Sequence, residues 1–213
     1  MKQVVRSVLA ACLAISFGAG SAAAQMPGLS PADSKELASY RLSMDTATKV
    51  HNAMKSLIVE AKKDPKVQAL MKTEAAIEAL EKKEELTDAE SERLDKLREE
   101  RDQQKEIVEE TVFGGADAGK GDSLDAIEAE IKSHPVAAAA LNSAGVSPRE
   151  YARFMMSAVM AGLVAGFQQS GVMKELPKEL QGIPAENIKF MQEHGAELEQ
   201  MQKELAALSK GMS

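Results

Sequence analysis

Apolar residues recur at helical spacing along almost the entire chain. From Ser30 to Asp64 the repeat is continuous, and its members are Leu37, Tyr40, Met44, Ala47, Val50, Met54, Leu57 and Ala61. Ser30 followed by Pro31 is a typical helix start, and Pro65 is a typical stop. The pattern predicts one long amphipathic helix over residues 31–64.

Residues 66–111 keep a thinner apolar stripe and are much more highly charged. Between Glu60 and Glu110, 28 of the 51 residues are charged, and the two signs are mixed. Thr87 with Glu90 fits a capping box, so we expect a second helix to begin there. Arg101 and Gln104 interrupt the apolar stripe of this second helix. The segment predicts a charged helical hairpin that resembles a coiled coil. The charge run is typical of a solvated face, and a binding arm is the alternative.

Residues 112–122 are rich in glycine and are expected to form a flexible loop. Gly114, Gly119 and Lys120 match part of a phosphate-binding loop, but Gly121 stands where Ser or Thr must bind magnesium. Asp117, Asp125 and Glu128 fit three positions of a calcium-binding loop, but Gly119 and Gly121 offer no side-chain oxygen at two other ligand positions, and Asp122 replaces the glycine needed at the turn. Neither match predicts a site, and a connector between helices is the favoured interpretation.

Two short helices should follow the loop. The first spans about 123–134 with Asp122 as its cap, and the second begins at Pro135 and is closed by Gly145. A final helix should run from Pro184 to about Ser209.

The stretch from 145 to 171 has the densest apolar run outside the N-terminus. Ser147, Pro148 and Glu150 form a helix start, with a cap, a proline at the first position and a capping-box glutamate. We predict a central buried helix whose core residues are Tyr151, Phe154, Met155 and Val159.

Small residues occupy every fourth position of this helix, at Ala158, Gly162 and Gly166. Such spacing allows the backbone of another helix to approach closely. The uncharged stretch from Phe154 to Phe167 is too short for a membrane span, which needs roughly 20 residues. We expect this file to pack against the first or last long helix. The predicted fold is therefore all-α, a single helical-bundle domain over residues 25–213.

The first 24 residues have the pattern of a cleaved secretory signal. Lys2 and Arg6 precede an apolar run, and Ala22 to Ala24 fit the small-residue cleavage site. Cys12 also follows a sequence like that of a lipoprotein cleavage site, but the apolar run before it is too short for this alternative to be favoured. We expect a periplasmic or secreted protein that begins near Gln25.

Cleavage of the leader changes the chemistry that is available to the protein. It would remove two positive charges and take the formal net charge from −7 to about −9. An acidic chain without basic clusters does not favour nucleic-acid binding. It would also remove Cys12, the only cysteine, so no disulfide or thiol chemistry is expected.

No catalytic or cofactor motif stands out in the sequence. His51, His134 and His194 are not spaced to put two metal ligands on one helix face. Met155, Met156 and Met160 are the kind of ligands that bind Cu(I), but in a core that is poor in aromatic residues they are favoured as filling side chains. We therefore expect no metal, no cofactor and no enzymatic activity.

A resemblance to known proteins rests on two stretches, AALNSAGVSPREYARFMMSAVMAGLVAGFQ and ENIKFMQEHGAELE. They are similar to a group of secreted helical proteins of Gram-negative bacteria that has no assigned function. RLSMDTATKVHNA also resembles the first helix of that group, whereas the charged hairpin looks like a variable part. The resemblance implies helix boundaries and no catalytic residue.

Two functional hypotheses follow from these features. The first is a non-enzymatic protein that binds a protein partner or client through the acidic hairpin or a groove beside the central helix. The second is a carrier of a hydrophobic small molecule or lipid in a helical pocket beside the Met- and Ala-rich helix. Oligomeric state is not predicted by the pattern.

Overall fold

Eight helices and no strands make up the described part of the chain, which in this computed structural model comprises residues 30–108, 123–170, 180 and 182–212. The helices are α1 Pro31–Ser39, α2 Met44–Ala61, α3 Pro65–Glu81, α4 Asp88–Val108, α5 Leu124–Ser133, α6 Pro135–Ser143, α7 Pro148–Ser170 and α8 Ala185–Leu208. The all-α prediction is confirmed. The predicted leader and the predicted glycine-rich loop at 112–122 lie outside the described residues.

The single helix predicted over residues 31–64 is wrong, because the chain breaks into α1 and α2 at Tyr40–Ser43. Tyr40 adopts an extended conformation, and the Ser43 hydroxyl accepts a hydrogen bond from the Thr46 amide at 3.2 Å to cap α2. Asn187 of α8 satisfies the backbone at the break. Its Oδ1 accepts from the Leu42 amide at 2.9 Å, and its Nδ2 donates to the Tyr40 carbonyl at 3.0 Å. A distant residue therefore ends the first helix.

Most other helix ends follow local side-chain chemistry. Thr87 and Glu90 form the expected capping box of α4, with each backbone amide donating to the other residue's side chain. The predicted cap of α5 is wrong by one residue, since the Ser123 hydroxyl, rather than Asp122, accepts from the Ala126 amide at 3.1 Å.

The turn between α6 and α7 explains the glycine at position 145. The backbone angle φ of Gly145 is +76°, a value that residues with a Cβ rarely adopt. The Gly145 amide donates to the Asn142 carbonyl and the Val146 amide to the Leu141 carbonyl, both at 3.0 Å. This is a Schellman motif, and the buried side chains of Leu141 and Val146 are its usual apolar pair.

The main hydrophobic core joins α2, α7 and α8 with smaller contributions from α3, α4 and α6. A second cluster lies between α1, α5 and the opposite side of α7. Helix α7 thus has one core on each side and contacts α1, α2, α5, α6 and α8. None of the helices in the described ranges is both long and apolar enough to cross a membrane.

Helices α3 and α4 form the expected hairpin, which we define as residues 65–108. Its base belongs to the main core through Val67, Leu70 and Val108. Its far end has a separate small cluster of Ile77, Leu80 and Leu94. The hairpin is therefore anchored at the base and extends away from the bundle as an arm.

Candidate functional site

The predicted serine cap and proline start of α7 are both present. The Ser147 hydroxyl accepts from the Glu150 amide at 3.1 Å, and the Ser147 carbonyl accepts from the Tyr151 amide at 2.9 Å. Pro148 is the first residue of the helix, where it sacrifices no hydrogen bond.

Three of the four predicted core residues of α7 face the interior. Tyr151 and Phe154 are buried, and Met155 is half-buried against the same core. Val159 is 42% exposed, so the prediction is wrong for this residue. Its side of α7 is covered only near the helix start, where Ala152 packs into the second cluster with Leu37 of α1. Further along the helix that side is open, and Leu163, one turn after Val159, is also exposed.

Of the small residues at every fourth position of α7, only some lie close to another helix. Ala158 is buried, and a Cβ placed on Gly162 would lie 3.4 Å from the Met191 Cε of α8. A Cβ on Gly166 would meet nothing within 4 Å. The last long helix is therefore the neighbour of Gly162, and Gly166 is not needed for this approach.

Arg149 holds the densest group of charges outside the hairpin. Its Nε donates to Glu36 Oε1 of α1 at 3.0 Å, and its Nη2 donates to the other oxygen of the same carboxylate. Its Nη1 bonds Asp125 and lies 3.5 Å from Glu128, both on α5. The hydrogen bond from Arg149 holds the pKa of Glu36 below its usual value. Because Arg149 pairs with carboxylates of both α1 and α5, this cluster fastens these two helices to α7.

Two residues of the partial match to a calcium-binding loop lie in this cluster, whereas Asp117 lies outside the described residues. Asp125 and Glu128 lie on the regular helix α5 with their carboxylates directed at a guanidinium. In the ranges that the structure describes, no group of three or more His, Cys, Asp or Glu side chains could hold a metal ion.

The histidines occupy three separate places. His51 is buried with its Nε2 3.2 Å from Glu204 Oε2, an ion pair or hydrogen bond that joins α2 to α8. His194 lies 3.2 Å from Glu197 on its own helix and packs on Phe190, and His134 is near Ser133. No two histidines meet, so they build no common site.

A small cavity lies between α1, α7 and the start of α8. Its volume is about 50 Å³, and Leu37, Met160 and Ile183 are among its lining residues. On this scale a single water needs about 10–15 Å³, so the space would hold only a few. Ligand pockets are usually about 300–1,000 Å³. Over the described residues, the cavity does not favour the carrier hypothesis.

Sequence reasoning missed the residue that organises this region. Asn187 is almost completely buried at the edge of the cavity and bonds the backbone on both sides of the α1–α2 break. A signal was present in the spacing, because Asn187 lies three and four residues before Phe190 and Met191 and therefore on the same side of α8. Gly145, Ser147, Arg149 and Phe190 lie in the same two sequence stretches as Asn187 or beside them in the fold. These residues have structural roles.

The hairpin carries the largest exposed charged surface. Across its two helices, Arg98 Nη2 lies 2.8 Å from Glu81 Oε1, and Lys83 bonds Glu90. Charges also pair along each helix, as in Lys82 with Glu78 and Lys96 with Glu92, both at 2.9 Å. Most of these groups are exposed, and such pairs contribute only about 0–1 kcal/mol each. The surface of the hairpin is therefore charged and mixed in sign.

Comparison of the chain with protein-family models, with curated proteins and with solved structures returns no significant match.

Proposed function

We propose that this is a non-enzymatic helical protein of the periplasm or the secreted fraction that binds a protein partner through its hairpin. The supporting observation is the anchoring of that hairpin. Only its base shares the main core, whereas the far end has its own small cluster and a charged surface. A bundle gains little stability from such an extension, so a role in contact with another molecule accounts for it better.

The rest of the molecule supports a binding role over catalysis. The charges around Arg149 are paired, and the three histidines lie apart. The small cavity between α1, α7 and α8 has room for a few waters, so a carrier function has no favouring observation.

A shortened hairpin tests this proposal. Residues 78–100 are replaced by a short Gly/Ser turn, which keeps Val67, Leu70 and Val108 in the main core. Full-length and shortened proteins are then compared by affinity capture from the host's extracytoplasmic fraction, with quantitative mass spectrometry. We expect at least one protein that is recovered with the full hairpin and lost with the shortened one.

A matched control separates the arm from general surface charge. Glu193→Lys with Glu199→Lys changes two exposed carboxylates on α8 and should retain the partner. Circular dichroism and thermal unfolding must show that the helical bundle is intact in both variants. Recovery of the same proteins with the shortened hairpin would contradict the proposal.

A further inference from the structure

The interior of the hairpin is interrupted by a polar layer. On α3 the layer consists of Thr73 and Glu74, and on α4 of Arg101, Gln104 and Lys105. These five residues are buried or half-buried at the positions where the helices face each other. The layer separates the base, which belongs to the main core, from the apolar cluster at the far end.

The groups in this layer are poorly matched to one another. Glu74 Oε1 lies 3.4 Å from Lys105 Nζ and 3.9 Å from Arg101 Nε, both ion-pair contacts without a hydrogen bond. Gln104 Oε1 is also buried without a hydrogen-bond partner in the described part of the chain. Arg101 directs its Nη2 to Asp102, its neighbour on the same helix, at 2.8 Å. A buried polar group without a hydrogen bond destabilises the folded state. This layer therefore stabilises the pairing of α3 with α4 less than an apolar layer would.

Beyond the layer, little apolar surface holds the two helices together. Ile77, Leu80 and Leu94 are buried, and Leu86 and Leu97 pack partly against them. Two ion pairs also join the helices there, Arg98 with Glu81 and Lys83 with Glu90, and such partly exposed pairs are weak and are screened by salt. An isolated helix pair of this size is marginal in water, because helices gain most of their stability from packing.

We propose that the distal hairpin, residues 77–98, opens and closes as a unit of its own, with the polar layer as its boundary. Cooperative units of this kind are known to follow local differences in apolar burial. The base stays closed because Val67 and Leu70 are completely buried in the main core. This device does not depend on the proposed partner binding, and it is measured without any partner.

Amide hydrogen exchange of the full-length protein, resolved to single residues by NMR, tests the boundary. Along α3 we expect a step in protection, with amides from Ile77 to Leu80 exchanging at least about tenfold faster than those from Leu70 to Thr73. The amides of the distal unit should share one opening equilibrium. Equal protection along α3, or a smooth decline toward the turn as in simple fraying, would overturn the proposal.

An apolar replacement of the layer gives a second measurement. Glu74→Leu with Arg101→Leu should join the two apolar clusters. The ratio between the exchange rates of the amides from Ile77 to Leu80 and those from Leu70 to Thr73 should then fall at least about tenfold. The matched control is Arg93→Leu with Glu99→Leu, two exposed residues of α4, which should leave the step in place. A step that persists in the first variant overturns the role of the layer. If that variant does not fold, the exchange profile of the unaltered protein decides alone.

Discussion

At the scale of single residues, a few positions shape this protein through turns, caps and contacts between helices. Gly145 permits a left-handed turn, Ser147 caps α7, and Arg149 fastens α1 and α5 to α7. Asn187 and Gly162 act between distant elements, one through the backbone at the α1–α2 break and the other through close packing against α8. Each can be tested by one substitution.

Gly162 provides the first test of the packing of α7 on α8. A leucine there must displace Met191, whose Cε lies 3.4 Å from the Cβ position, so we expect Gly162→Leu to cost about 1–3 kcal/mol of unfolding free energy. Gly162→Ala should be tolerated, because alanine favours the helix and the flexible end of Met191 can adjust. Chemical denaturation of Gly166→Leu serves as the control, since nothing lies within 4 Å of that position. Equal stability of the two leucine variants would contradict this packing.

Asn187 gives the second prediction. Asn187→Ala leaves the Leu42 amide and the Tyr40 carbonyl without their partner in a buried place, so we expect a loss of about 2–3 kcal/mol. Asn142→Ala changes an exposed asparagine of α6 and should be close to neutral. The measurement is urea unfolding followed by circular dichroism. A stability close to that of the unaltered protein would show that the break between α1 and α2 does not depend on this side chain.

At the scale of elements, local chemistry decides most helix starts and the end of α6, whereas a long-range contact from α8 decides the break between α1 and α2. The capping box at Thr87 and the proline starts of α6 and α7 could all be predicted from the sequence, whereas Pro65, which the pattern predicts as a stop, also begins α3. The break inside residues 31–64 could not, because both halves share one apolar repeat and the decisive hydrogen bonds come from α8. The hairpin was predicted, while its division by a polar layer emerged only when Arg101 and Gln104 were seen to face Glu74 and Thr73.

The start of α4 should respond to acid. Hydrogen bonds from Lys83, and from the amide and hydroxyl of Thr87, lower the pKa of Glu90 from its ordinary value of 4.5 to about 2. Because the folded-state pKa is the lower one, this stabilisation is complete above pH 4.5 and is lost as the pH falls toward 2. Amide protection in the first turn of α4 should therefore decrease over that range.

The control for this pH dependence is Glu90→Gln, which cannot ionise. Its protection in the first turn of α4 should be lower at neutral pH and should change less between pH 4.5 and 2 than in the unaltered protein. Glu92→Gln, an exposed neighbour that pairs only along the helix with Lys96, should behave like the unaltered protein. Parallel pH profiles for the Glu90 variant and the unaltered chain would contradict the assigned cause.

At the scale of the whole molecule, the helices divide into a body and an arm. In the body, α7 lies between two hydrophobic clusters, which explains its apolarity without a membrane or a metal. In the arm, the outer surface is charged, and the polar layer separates the distal apolar cluster from the main core of the body. The arrangement places exposed charged side chains on an extension and most of the buried residues in the bundle.

Export of the protein gives the last prediction. Expressed with residues 1–24, the chain should be recovered outside the cytoplasm with Gln25 as its first residue, because Ala22 to Ala24 fit the cleavage signal. Intact-mass measurement and N-terminal sequencing decide this. An acylated protein that begins at Cys12 would support the lipoprotein alternative, and an uncleaved cytoplasmic chain would contradict export.

The sequence alone determined what depends on neighbouring residues. Helical periodicity, capping residues, proline starts and the glycine at 145 act within about one or two turns, so the all-α class and most helix starts follow from them. Tertiary structure alone decided what depends on distant residues. It showed that Val159 is exposed, that Gly166 makes no close contact, and that Asn187 divides the first helix. The physical reason is that burial and backbone satisfaction depend on which element lies opposite, and a linear pattern does not contain that information.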